Sequence, residues 1–575
     1  MPSAHATLAP LVSAAIDNAF GPEYRDADPV LRPSQFADLQ SNAALPLAKR
    51  LGMPPREVAQ RIVEALDVRD VCDEVEISGP GFINLTLSDA WLGSAVDALV
   101  ADPRRGVPQE APERIVIDYS APNVAKEMHV GHLRTTVVGD ALARILEHLG
   151  HTVTRQNHIG DWGTPFGMLI EHLLDVGEGS DEALVVETDP NSFYQAARRK
   201  FDSDEAFAAR ARSRVVALQG GDQDTLRLWG ELLDLSKHYF NAIYTRLGVS
   251  LTDADLAGES SYNGDLARVC DELTDAGIAT VSDGALCVFL DGFRGREGKP
   301  LPLIVRKSDG GYGYATTDLA TVRHRVRDLY ADRIFYVIGA PQSLHLEMVW
   351  ATARKAGWLP DSVEPVHVKI GNVLGKDRRI LKTRSGAPLR LMALLDEAVA
   401  TARAAIDADR PGLSEEDREA LAPQVGIGAV KYADLSVAHD SEYVFDLDRM
   451  VALNGNTSRY LQYAVARTRS IFRNAGEVVV GEKATTITQP EERALALALL
   501  DFGDVVSEVG QVLEPHRLCT YLFDLAQTYS VFYEECPILR AEPQVRASRL
   551  VLTGLTRDAL ALGLELLGID TPETM

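Results

Sequence analysis

Asp118-Tyr-Ser-Ala-Pro-Asn-Val-Ala-Lys-Glu-Met-His129-Val-Gly131-His132 decides how the chain is read. An apolar strand, Ile115-Val116-Ile117, runs into it. Leu133, Val137, Ala141, Ile145 and Leu149 leave it near a period of four, with Gly150 as the stop. The stretch is therefore a strand–loop–helix unit whose loop carries two His, a Gly and a Lys at a helix N-terminus. Such an end presents unpaired N–H groups and the positive end of the helix dipole, so it suits an anion such as phosphate. His129 and His132 can donate to phosphoryl oxygens, and Gly131 lets a nucleotide approach the backbone. A plain loop-to-helix turn reads similarly, and HxxH is also half of a metal site. Yet His148, His151 and His158 complete no ligand set and no cysteine pair accompanies them, so no protein-bound metal is expected.

The 575 residues exceed one hydrophobic core, which predicts three or four domains. With 46% hydrophobic and 25% charged residues, the chain reads as globular rather than fibrous or disordered. Cys72, Cys270, Cys287, Cys519 and Cys536 are scattered without CxxC spacing, which argues for a reducing compartment and against a zinc ribbon. No Lys or Arg precedes Arg25, so the N-terminus lacks the basic region of a signal peptide, and no apolar run reaches membrane-span length. A cytoplasmic protein is expected. The net charge of −25 does not exclude a nucleic-acid partner, because phosphates respond to basic patches within a Debye length of about 10 Å.

Residues 1–110 read as a small α/β module, with a helical pattern at Leu8, Leu11, Ala15 and Phe20, another from Pro46 to Leu66, and a strand pair turning at Gly79-Pro80-Gly81. From Arg114 strands alternate with helices: Thr152–Gln156, Leu286–Leu290, Leu301–Arg306, Arg333–Ile338 and His367–Ile370, with a charged helical insertion at about 170–245. This alternation predicts a parallel sheet with ligands at its carboxyl ends, and the candidate residues fall at those junctions. A basic loop, Gly375 to Gly386, follows the last strand. After about 390 strand signals nearly vanish, and runs such as Arg493–Val512 and Leu550–Leu567 predict an all-α C-terminus.

SAPNVAKEMHVGHLR, NHIGDWGTPFG, DGGYGYATTDLA, YVIGAPQSLH, LGKDRRILKTRSG and GNTSRYLQYAVAR together make the chain resemble the class I arginyl-tRNA synthetases. The resemblance implies an α/β multidomain fold: an N-terminal tRNA-elbow domain (1–110), a Rossmann-type catalytic domain (111–390), a helical connector (391–440) and an all-α anticodon-binding domain (441–575). It implies ATP with Mg²⁺, L-arginine and tRNA(Arg) as substrates, a monomer, and arginine activation that requires tRNA. His129, His132 and Gly131, with Ser120 and Pro122, would meet ATP, and Lys382 would neutralise the departing pyrophosphate. The family's KMSK loop stands here as Lys382-Thr-Arg-Ser385; in members with that loss a lysine before HxGH is thought to substitute, and Lys126 holds that place.

Asp118, Asn123, Tyr314, Asp318 and Gln342 match the family's arginine-binding positions. Their chemistry suits a planar fork of five donors: acids for charge, amides as acceptors, an aromatic ring for stacking. Phe36, Gln40 and Asn42 match an N-terminal tRNA motif, with Ala37 and Leu39 where Gly and Tyr are usual. Tyr460, Gln462, Tyr463 and Arg467 are suited to unstacked bases. The rival readings are another class I synthetase, an HxGH nucleotidylyltransferase, or a non-catalytic tRNA-binding paralogue; the guanidinium-type residues and retained phosphate ligands count against them.

Overall fold

The computed structural model describes residues 3–575 apart from 125–126, 189, 296–297, 382–388 and 477–483. At its centre are four parallel strands in the order Glu364–Ile370, Arg333–Gly339, Arg114–Asp118, Thr152–Gln156. Ile115, Val116 and Ile117 are all buried, as a strand covered on both faces requires. The helix that leaves the opening stretch, Val130–Leu149, ends at Gly150 in the left-handed region. Fourteen of its twenty residues are buried, so it is enclosed well beyond the single apolar stripe of a surface helix. The catalytic sheet lies on one side of it. The helices Leu391–Asp409, Glu415–Leu435 and Phe502–Val512 lie on the other.

One expectation is corrected. The strands near Leu286–Leu290 and Leu301–Arg306 do not extend the parallel sheet; they form Ala285–Arg294 and Pro300–Arg306, which with Ala279–Ser282 make a separate antiparallel sheet. The cause is local. Ser282 pairs with Ala285 across a two-residue turn in which Asp283 and Gly284 both have positive φ (48° and 79°), a geometry that closes a hairpin. A parallel pair needs a long crossover instead. The insertion is helical, with Thr164–Val176, Glu205–Gln219 and Gln223–Leu247 packed together.

The N-terminal part has four helices and a four-stranded antiparallel sheet, in which Cys72–Ser78 and Phe82–Leu87 form the expected pair. It is fastened to the C-terminal helices. Arg493 reaches Asp38 (2.5 Å), Asp89 and the Leu87 carbonyl (2.6 Å), and Thr485 donates to Asp97 (2.5 Å). Beyond residue 390 the regular elements among the described residues are helices, apart from Tyr443–Val444, a short strand alongside Val373–Leu374. The run Arg493–Val512 is two helices, Pro490–Leu500 and Phe502–Val512.

At Gly139 of the central helix an added methyl would overlap the Cβ and ring of Tyr119, the residue after the strand Arg114–Asp118. We therefore expect Gly139→Ala to destabilise the protein by about 1–3 kcal/mol through overpacking, outweighing the roughly 1 kcal/mol that alanine gains in helix propensity. Urea unfolding followed by fluorescence checks this; an unchanged or raised midpoint would refute the packing.

Candidate active site

The loops that follow the parallel strands meet along one edge of the sheet, where ligands of such sheets bind. The first turns sharply at Ser120 and Ala121, whose φ values of 71° and 45° are unfavourable for residues with a Cβ. Buried hydrogen bonds hold that conformation. Thr136 donates to the Ser120 hydroxyl (2.8 Å), which lies 2.8 Å from the Tyr244 hydroxyl, and Asn157 accepts from the Ala121 amide (3.0 Å) and donates to Tyr244 (2.9 Å). Ser120 and Pro122 are buried, and the Ser120 hydroxyl braces the loop. Asn123 is exposed and bridges to Gly160; a Cβ on Gly160 would come within 2.9 Å of its side-chain oxygen. The Asp118–His132 loop is thereby tied to the loop carrying His158 and Asp161.

His129 caps the helix. Its Nδ1 accepts from the Gly131 amide (3.0 Å), and the Nδ1 of His132 accepts from the His129 amide (3.1 Å). An Nδ1 that accepts places the proton of a neutral imidazole on Nε2. The two rings, 4.1 Å apart between centroids, thus carry Nε2–H donors beside a helix N-terminus. Lys126 and Lys382 lie outside the described residues.

The acidic residues divide in a way the sequence did not reveal. Asp118 is buried and its Oδ2 accepts from Arg325 (2.6 Å), itself fully buried and also bonded to Gln156 (2.7 Å). A carboxylate neutralised by an internal guanidinium has no charge to offer a second, so Asp118 is a poor counter-ion for a ligand. Asp318 is open to one: it meets His345 at 2.5 Å and His158 at 3.9 Å. Its neighbour is Glu259, absent from the sequence reading. Buried in a short turn, Glu259 has its carboxyl pushed up to about 8 by desolvation, then by the nearby charges of Asp161 and Asp318. Burial likewise raises Asp161, held by the Ser260 amide (2.9 Å) and hydroxyl (2.6 Å). Glu259 shares a cavity with Trp162, Pro165, Tyr312, Tyr314 and Thr317. Tyr314 is 72% exposed at the start of its helix and Gln342 is exposed in the turn after Arg333–Gly339. Lys307 also lines the Glu259 cavity, while Asp161 and Asp318 act on Glu259 through their charges from beside it.

The remaining candidates lie elsewhere. Phe36 is 82% exposed, Gln40 donates to Asn84 (2.8 Å), and Asn42 keeps its amide partly buried. On the Ser458–Ala475 helix Arg467 sits among Tyr463, Tyr529 and Tyr533, nearest Tyr533 (4.7 Å), while Tyr460 lies edge-on to Phe523. Gln462 is fully buried and donates to the carbonyls of Gln424 (3.1 Å) and Asp570 (2.8 Å), tying its helix to the Glu415–Leu435 helix and to the C-terminal segment.

Three family models match: the catalytic domain of the class I tRNA synthetases of the arginine type over 95–447, the DALR anticodon binding domain over 461–575, and the arginyl-tRNA synthetase N-terminal domain over 6–87. Among relatives, an arginine–tRNA ligase of Thermobifida fusca is 68% identical over 572 residues, covering 99% of each chain. One of Frankia casuarinae is 52% identical, covering 98% of this chain and 97% of its own. The solved arginyl-tRNA synthetase of Plasmodium falciparum superposes with a TM-score of 0.86 at 28% identity over the whole of both chains. The chain belongs to the class I arginyl-tRNA synthetases.

Proposed function

We infer that this chain is an arginine–tRNA ligase. On our reading the Glu259–Asp318–Tyr314 pocket takes the arginine guanidinium, and the His129–His132 turn takes the phosphates of ATP. What supports the site assignment is that the acidic group of Glu259 with Asp161 and Asp318 and the helix end capped by His129 lie on loops joined by the Asn123–Gly160 bridge. Neither alone would require the other; a cationic amino acid and a nucleoside triphosphate require both.

The chemistry asks for position more than for an enzyme nucleophile. The arginine carboxylate attacks the α-phosphorus, an acyl–phosphate bond forms, and pyrophosphate leaves with the bond to the β-phosphate. A ribose hydroxyl at the tRNA 3′ end then attacks the acyl carbon, and AMP departs. The Nε2–H groups of His129 and His132 and the amides of the helix end would stabilise charge on the phosphoryl oxygens. Lys126 and Lys382, by resemblance, would neutralise the pyrophosphate. Mg²⁺ would arrive with ATP, and no side chain is assigned to it. Guanidinium donors would satisfy Glu259 and Asp318, with Asn123 and Gln342 as further acceptors. A lysine would leave some of these unpaired, so selection needs no editing site.

For tRNA we assign the exposed Phe36 with Gln40 and Asn42 to the elbow, and Tyr460, Tyr463 and Arg467 to unstacked bases. The division into an elbow-binding unit (1–110), a catalytic unit (111–390), a connector (391–440) and a base-reading unit (441–575) follows. Among the described residues no helix is long and apolar enough to cross a membrane. We take the protein to act as a cytoplasmic monomer.

Pyrophosphate exchange with each amino acid in the presence of total tRNA tests the function. Exchange with arginine alone is expected; exchange with another amino acid, or none with arginine, overturns it. Asp318→Asn should raise the arginine KM on the order of 10- to 100-fold by removing a charge-assisted pair, with little change in the KM for ATP. An unchanged arginine KM would remove Asp318 from the pocket. Lys126→Ala should lower kcat for exchange with the fold intact, and normal kcat would leave the role to Lys382.

Proton linkage supplies a sharper check. Glu259 is protonated below about 8 in the free site, whereas a guanidinium favours its ionised form. Binding therefore expels a proton below that pH, and the arginine Kd should rise as pH falls, by at most about tenfold per pH unit for one proton. Calorimetry in buffers of different ionisation enthalpy should detect the release, and Glu259→Gln should reduce it to whatever His345 contributes. Buffer-independent heats would refute the assignment.

A further inference from the structure

The segment between the Glu415–Leu435 and Ser458–Ala475 helices touches both elements assigned to ATP. On one side stands Arg134, in the helix headed by His129 and only 1% exposed. Its guanidinium donates to Asp434 (2.6 Å), to the Ser441 carbonyl (2.6 Å) and to the Ala438 carbonyl (3.4 Å), and it lies over the ring of Tyr443 (5.2 Å). On the other side the segment pairs with the chain that leaves the parallel sheet after its strand Glu364–Ile370. The Gly371 amide donates to His439 (2.8 Å), Nδ1 of His439 donates to the Lys369 carbonyl (2.7 Å), Val373 and Leu374 pair with Tyr443 and Val444, and the Phe445 amide donates to Leu374 (2.8 Å). Lys376 then meets Asp446 (3.2 Å) and Asp448 (3.5 Å).

Those contacts hold the entry of the basic loop. Its first turn folds back on the same strand, with the Gly375 amide donating to Arg379 (2.8 Å) and the Leu381 amide to Val373 (3.0 Å). Where the chain is described again, the Val130 amide donates to Leu389 (3.0 Å) and the Leu391 amide to Met128 (2.9 Å). The described flanks of the loop are thus both fixed to the histidine-bearing helix, the later one directly and the earlier one by way of Arg134. A buried ion pair contributes little net stability compared with an apolar pair of the same shape. A guanidinium bonded to three separate acceptors fixes relative position instead.

We propose that Ala438–Asp446 is a positioning strap for adenylate formation: through Arg134 it sets the histidine-bearing helix end, and through Val373–Lys376 it sets the start of the basic loop, so that both elements face ATP in one register. The proposal rests on the reading of His129 and His132 as ATP ligands.

Two variants disturb the strap from opposite ends, and a third tests the reading beneath it. A Cβ in Gly371→Ala would stand 2.6 Å from the Ser441 carbonyl and 2.9 Å from that of Asp440, displacing the strap without touching Arg134 or a histidine. Asp434→Asn removes the counter-charge. In the full-length enzyme with tRNA present, each should lower kcat/KM for ATP in pyrophosphate exchange on the order of 10- to 100-fold, the scale of a small misplacement of reacting groups. The arginine Kd should stay unchanged, while amide hydrogen exchange quickens at 371–381 and 438–446. Should Asp434→Asn fail to fold, Gly371→Ala decides alone. Normal ATP kinetics in Gly371→Ala, or a loss shared equally by arginine binding, overturns the strap. His132→Ala separates the two readings. If it spares ATP kinetics, the nucleotide assignment fails and the strap with it; if it impairs them while Gly371→Ala does not, the strap alone fails.

Discussion

The Val130–Leu149 helix is enclosed on two sides, and much of the molecule follows from that constraint. Its outer neighbours are the catalytic sheet and the helices of the C-terminal half. Polar side chains caught inside must find partners, because an unpaired buried charge costs several kcal/mol. Arg134 finds Asp434. Asp140 accepts from the Ser250 amide (2.8 Å) and from Arg144 (2.7 Å), and its charge opposes part of the desolvation that lowers the buried Lys431 to about 8. Lys431 and Asp434 both lie on the Glu415–Leu435 helix. An ion pair at one point and a charge attraction at a second fix the register of the helix pair, so the helix end bearing His129 and His132 is located by packing some distance from it.

The same economy of charge governs the pocket. Asp161, Glu259 and Asp318 would repel one another if all were ionised and unaccompanied. The free structure avoids this by giving Asp318 a histidine partner, whose pKa that hydrogen bond raises, and by leaving Glu259 protonated. A guanidinium can replace those protons with its own donors and charge. Asp118, at the end of its strand, is paired through Oδ2 with the buried Arg325. The acids that look alike in the chain therefore divide into one that holds the fold and others that wait for a ligand.

How much of this was legible depended on whether the deciding contact was local. The strand–loop–helix unit, the Gly150 stop and the four strands that form the parallel sheet are written in periodicities of a few residues, and they read correctly. The hairpin at Asp283-Gly284 carried its signal in two turn residues, but apolar strands alone do not distinguish parallel from antiparallel partners. The internal partners of Asp118, Ser120 and Gln462 could not be read because they lie elsewhere along the chain; Arg325 is 207 positions from Asp118. Glu259 sits in a four-residue turn with no spacing to mark it, and only the spatial approach of Asp161 and Asp318 singles it out. The histidine turn was legible as a phosphate site, whereas the tautomers that make it a pair of donors required the capping geometry.

The central claim is that arginine and ATP meet across the bridge between Asn123 and Gly160, with the guanidinium on Glu259 and Asp318. A crystal structure with a non-hydrolysable arginyl-adenylate analogue tests it most directly. The account predicts guanidinium nitrogens within hydrogen-bonding distance of both carboxylates and the analogue's phosphate-mimicking group beside Nε2 of His129 or His132. A guanidinium seated on Asp118 with Arg325 displaced, or a phosphate-mimicking group remote from both histidines, would contradict it.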